Sequence, residues 1–119
     1  MTIDPSVLDE YRSVIGNDAD AFIAEVLTIY LENTPLVMAR LRQALAQRDV
    51  KMVGRHAHSL KGGSLSVGAG EMARLAEMIE EAARGGSLNG LGENMTALEQ
   101  EFDALAVTMR AMAGLPPVD

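Results

Sequence analysis

Residues 55–68 read Arg-His-Ala-His-Ser-Leu-Lys-Gly-Gly-Ser-Leu-Ser-Val-Gly and contain both histidines of the chain. Read as a helix, the segment stacks His58 with Arg55, Lys61 and Gly62, because residues three and four apart share a face. Val53, Leu60 and Val67 take the opposite face, with Ala57 and Ser64 between them. That second face calls for a core. The first joins an imidazole, two cations and a glycine, although glycine inside a helix costs roughly 1 kcal/mol against alanine. At Gly62, one turn past His58, a bare backbone lets another protein's surface approach the ring. An imidazole nitrogen is nucleophilic near neutral pH, and Lys61 sets a mobile ammonium beside it to offset phosphoryl charge. Nucleophile, cation and cleared approach are the parts of a transient phosphohistidine site.

The neighbouring residues read more plainly. His56 lies about 200° round the helix from His58, on the core side, and is expected to be a partly buried packing residue. The same angle argues against a two-histidine metal site, whose helical ligands stand at i and i+4. Gly63 is expected to serve tight helix packing, Gly68 a turn, and Ser64 the bundle interior. Leu65, further along the His58 face, is an apolar candidate for partner contact.

Five helices must position these residues. Asp4-Pro5 starts a short one, with Asp as N-cap and Pro at the first helical position, and a Val7, Leu8, Tyr11, Val14 or Ile15 stripe runs to Gly16. Asn17-Asp18 reads as a second cap. Phe22, Val26, Tyr30 and Thr34, with Ile23 and Leu27 alongside, then give a strong apolar face. Pro35 should break it, yet Met38, Leu41 and Leu45 resume in nearly the same phase. The reading is one long helix over 18–47, kinked at Pro35, with two helices as the fallback. Asp49 caps the helix bearing His58, which runs to about Leu65. A fourth helix turns Met72, Leu75, Ile79 and Ala82 inward and stops at Gly85-Gly86-Ser87. In the last, Leu91, Met95, Leu98, Phe102, Leu105, Met109 and Met112 recur at spacings of four and three, a straight packing seam. Gly114, Pro116 and Pro117 end it in a flexible tail over 114–119. The pattern predicts an all-α, antiparallel up-down four-helix bundle over about 18–113 with a short additional N-terminal helix over about 5–15.

Composition narrows the function. At 119 residues the chain makes one domain, 1–119, with one core. A net charge of −7 argues against a nucleic-acid or anionic-membrane surface. The chain has no cysteine, which fits a reducing compartment. Met1 to Glu10 holds three acids and no apolar run, unlike a signal peptide, and no stretch approaches the ~20 apolar residues of a membrane span. A cytoplasmic protein, monomeric by default, is expected.

His58-Ser59-Leu60-Lys61-Gly62-Gly63-Ser64 followed by Val67-Gly68-Ala69 closely resembles the signature of histidine-containing phosphotransfer (HPt) domains, and the resemblance runs from about Asp4 to about Met112. It implies the same bundle and a carrier in a two-component multistep phosphorelay. His58 would be the phosphoacceptor, its outward Nε2 attacking an aspartyl phosphate, and Lys61 would stabilise the phosphoryl group. Glu80 matches a family position where Gln or Glu hydrogen-bonds the active histidine; against that, Glu77, Glu80 and Glu81 read equally as a solvated face. Arg55, Gly62 and Leu65 would meet the partner. The implied partners are response-regulator receiver domains and a hybrid histidine kinase. No cofactor is expected on this chain, and Mg2+ is expected in the receiver's acidic pocket. No glycine-rich nucleotide loop or Walker-type motif accompanies the histidine, so a carrier rather than a kinase is expected. Two alternatives stand beside this: the phosphoacceptor domain of a chemotaxis-type kinase, and a non-phosphorylated helical adaptor. Either a free-standing protein or an excised terminal domain fits the pattern.

Overall fold

The computed structural model describes residues 3–117. It contains helices α1 (Pro5–Ile15), α2 (Ala19–Ala46), α3 (Val50–Ser66), α4 (Gly70–Arg84) and α5 (Leu91–Met112), and a 3-10 turn over Gly16–Asp18. Short turns at 47–49, 67–69 and 85–90 force successive helices to run antiparallel. The pairs α2–α3, α3–α4, α4–α5 and α5–α2 are in contact, which closes a four-helix ring, and α1 packs on the outside against α2.

The caps follow the sequence closely. Asp4 Oδ1 accepts from the Ser6 amide at 3.0 Å and Asp49 Oδ1 from the Met52 amide at 3.2 Å. The exception is Asp18, which begins α2 without a side-chain hydrogen bond because the 3-10 turn carries the backbone directly into the helix. Pro35 lies inside α2, which runs unbroken through it. Its ring leaves the Leu31 carbonyl without the usual donor, but the segments on both sides bury one continuous stripe of Ile23, Leu27, Leu31, Met38 and Leu41. That shared burial keeps the helix whole.

The core is one cluster, with Leu98, Leu105 and Met109 fully enclosed on α5 and Met72, Ala76 and Ile79 on α4. Ala83 rather than Ala82 is the inward residue at the end of α4, and Met112 is exposed. Of the α1 stripe only Leu8 is buried, while Val14 faces solvent, because α1 lies along α2 outside the ring and reaches α3 only at that helix's last residue. Within the helical run Pro5–Ala46 one 18-residue window reaches a mean hydropathy of 1.2, a level that core helices of soluble proteins also attain. In this fold a third of that window is buried within the protein. The tail is tied back over its described part: the Leu115 amide donates to Arg110 O at 2.8 Å, and Arg110 Nε donates to Pro116 O at 2.6 Å. Residues 118 and 119 lie outside the described residues.

At the other end, α1 is fastened to the turn between α3 and α4. The Asp4 amide donates to Gly68 O at 2.7 Å and Tyr11 Oη to Ser66 O at 2.7 Å. Gly68 has φ +76, and a Cβ there would stand 2.7 Å from the Asp4 carbonyl oxygen. Only glycine suits both demands.

Candidate functional site

α3 carries the motif, and its two faces divide as the spacing predicts. Val53, Ala57, Leu60 and Ser64 are buried, whereas His58 projects with its side chain 69% exposed. Across from it on α4, Glu80 is almost sealed, at 10% exposure, among the apolar residues that hold that helix in the core. Glu80 Oε2 lies 2.7 Å from His58 Nδ1. A carboxylate can only accept, so Nδ1 carries the hydrogen and Nε2 presents its lone pair to solvent. Glu80 is no solvated acid, although Glu77 and Glu81 are exposed.

The same carboxylate gathers two cations. Lys61 Nζ stands 2.7 Å from Oε1, and Arg84, one turn along α4, reaches within 3.5 Å of Oε2. The Lys61 contact has the charge and distance of an ion pair but not the angles of a good hydrogen bond, and Oε1 has no other partner among the described residues. Lys61, then burial acting in opposition, then His58 set the Glu80 carboxyl, with a net shift below its ordinary range. Lys61 is therefore held against α4 at 22% exposure and does not stand free beside the imidazole. A phosphoryl group on Nε2 would have to draw it away from Glu80.

Gly62 is exposed with nothing within 4 Å of a Cβ position, and Leu65 is 55% exposed on the same face. Arg55 is exposed too. Gly63 also faces open space, which corrects the reading that it serves tight packing. The close approach on this helix is at Gly54, where a Cβ would lie 3.7 Å from the Ala83 Cβ. His56 is half-buried as expected. Ser64 is fully enclosed, and its hydroxyl shares a 2.7 Å hydrogen bond with Tyr30 Oη of α2, a pairing that the sequence did not signal.

Two hollows flank His58. On the α2 side an apolar groove of about 270 Å³ runs past Val26, Ile29, Val37, Ser59 and Gly63. On the α4 side lies an open cup of about 540 Å³, bounded by Lys51, Gly54, Arg55, His58, Glu80 and Arg84. Arg84 and Lys51 escaped the sequence reading, although Glu80 and Arg84 are spaced i, i+4, as are Lys51 and Arg55.

The Hpt domain model matches residues 25–108 of this chain. The chain belongs to the Hpt domain family. Histidine-containing phosphotransfer protein 2 of Arabidopsis thaliana is 26% identical over 109 residues, covering 89% of this chain and 70% of that protein. Multistep phosphorelay regulator 1 of Schizosaccharomyces pombe is 31% identical over 78 residues, 66% of this chain and 26% of the relative. The crystal structure of histidine-containing phosphotransfer protein B from Pseudomonas aeruginosa superposes with a TM-score of 0.83 at 25% identity, covering 94% of each chain. The all-α Hpt bundle expected from the sequence is thus the fold observed.

Proposed function

We propose that this Hpt domain carries a phosphoryl group on His58 between aspartates of response-regulator receiver domains in a multistep phosphorelay. The observation that carries the reading is the His58 Nδ1–Glu80 contact at 2.7 Å, which leaves the exposed Nε2 as the nucleophile. The Nε2 lone pair attacks phosphorus, the Nε2–P bond forms, and the P–O bond to the donor aspartate breaks with its electron pair going to the carboxylate. Glu80 then faces a ring whose Nδ1–H is more acidic and more strongly held, so it stabilises the phosphorylated imidazole as it orients the free one. Lys61 exchanges Glu80 for the phosphoryl oxygens, and Arg84 stays within reach of the carboxylate that Lys61 leaves. Arg55, Gly62 and Leu65 form the surface that meets the receiver, and the receiver supplies the Mg2+ that the transfer uses. A hybrid histidine kinase stands upstream, and the domain acts as a cytoplasmic monomer.

The test is transfer from a panel of receiver domains phosphorylated on aspartate, run on wild type and His58→Gln. Rapid label on wild type that is lost in acid and kept in base, with none on His58→Gln, supports the relay. Label that persists on His58→Gln moves the acceptor to His56 or elsewhere, and no label on either protein favours an adaptor bundle.

A further inference from the structure

The helix that bears His58 is electrostatically unlike the rest of the chain. The protein has 17 acidic and 10 basic residues, yet α3 carries Lys51, Arg55 and Lys61 and not one carboxylate. Three cations on other helices lie against carboxylates: Arg12 against Asp9, Arg42 against Glu99, and Arg74 against Glu71. Lys51 and Arg55 are exposed and make no ion pair or hydrogen bond among the described residues. They stand one turn apart on the stripe that leads to His58, and from α4 Arg84 faces the same cup with its side chain 69% exposed. The floor of that cup is Gly54 and Ala83, small enough to leave it open. Like charges at i, i+4 oppose one another, so this grouping is a cost that an anionic partner would remove.

We propose that the cup is a docking seat for an acidic segment of the partner receiver domain, held over the first half of α3 and the end of α4. The inference rests on His58 as the acceptor, and it names the side from which the donor arrives. His58 itself borders this cup, so a phosphorylated aspartate that reaches the ring brings a dianionic group to the cup's edge. Cations lining the route raise the encounter rate and select the orientation of the incoming surface. The groove on the α2 side is apolar and offers no cation. His58 therefore lies between walls of opposite character, and a receiver with acidic residues on one side of its phosphorylated aspartate fits in one rotation only.

The experiment is rapid-quench transfer from the receiver domain of the panel that labels wild type fastest, at several salt concentrations. Lys51→Glu/Arg55→Glu is compared with Arg40→Glu, a charge reversal outside the cup, and phosphoramidate serves as a small donor that needs no docking. The expected result is that Lys51→Glu/Arg55→Glu loses at least about tenfold more rate with the receiver than with phosphoramidate. Its rate also loses most of its salt dependence, whereas Arg40→Glu resembles wild type. Equal losses with both donors, or equal losses in the two charge reversals, overturn the seat. A hexaglutamate titration followed by amide chemical shifts probes the cup without any transfer. Shifts centred on Lys51, Gly54, Arg55 and Arg84 support the seat, and shifts spread over the other exposed arginines or absent altogether overturn it. If wild type takes label from neither donor, the acceptor reading fails while the titration still decides the cup.

Discussion

α3 is fastened to both of its neighbours by a polar contact, and the two contacts differ in kind. Towards α2, Tyr30 and Ser64 share one hydrogen bond between neutral hydroxyls, enclosed on all sides. Towards α4, Glu80 meets His58, Lys61 and Arg84, with the carboxylate sealed and two of its partners largely exposed. The first contact can only hold. Burial pushes the Tyr30 phenol up, against the pull of its hydrogen bonds, so it stays neutral through the physiological range. The second contact can rearrange, because each partner of Glu80 also reaches solvent or the position of a phosphoryl group. Chemistry on this helix needs one flank fixed so that the other is free to exchange charges.

Perturbations on the two flanks should separate activity from stability. Loss of His58 should abolish labelling, the largest effect. Lys61→Ala should slow transfer by about tenfold to hundredfold, measured by rapid quench, and should also lower the melting temperature because the enclosed Glu80 oxygen loses its cation. Lys61→Arg should restore the stability and part of the rate. On the opposite flank, Tyr30→Phe leaves the Ser64 hydroxyl buried without its partner, at a cost of about 1–3 kcal/mol in denaturant unfolding. Its transfer rate should stay within about twofold of wild type. A large rate loss there would show that the two flanks are not independent.

The pH dependence of stability gives the smallest signal and the sharpest assignment. The folded Glu80 carboxyl titrates below its ordinary 4.5. Its ion pairs therefore stabilise the fold fully above that value, and the contribution is lost as pH falls through the folded pKa. Thermal melts of wild type and Glu80→Gln should differ most near neutrality and converge in acid. A gap that stays constant down to pH 3 would assign the difference to packing.

Much of this could be read from the chain because the informative signals were local. Caps at Asp4 and Asp49, the stripe that continues in phase through Pro35, and the seam of α5 each depend on residues within a turn or two. The motif faces of α3 followed from the same periodicity. What stayed illegible involved separate helices. Nothing in the sequence pairs Tyr30 with Ser64 or says that Lys61 leans on Glu80, and Gly54 rather than Gly63 proved to be the close contact because that depends on where α4 lies. The family resemblance pointed to Glu80, but periodicity read it equally as one of a solvated face with Glu77 and Glu81, and the rotation of α4 decides between the two.

The fastening of α1 has a consequence for how the chain folds. The bundle is built from antiparallel neighbours joined by short turns, so most of its contacts are local in sequence, which favours fast assembly. The Tyr11–Ser66 bond spans 55 residues, and the Asp4–Gly68 bond beside it closes a loop of similar size. Such closure is entropically late, and with only Leu8 buried α1 has little core of its own to resist opening. Amides of α1 and Asp4 should therefore exchange with deuterium well before those of α4 and α5. The N-terminal helix acts as a clasp that shuts last and opens first, while the ring of four beneath it stays assembled.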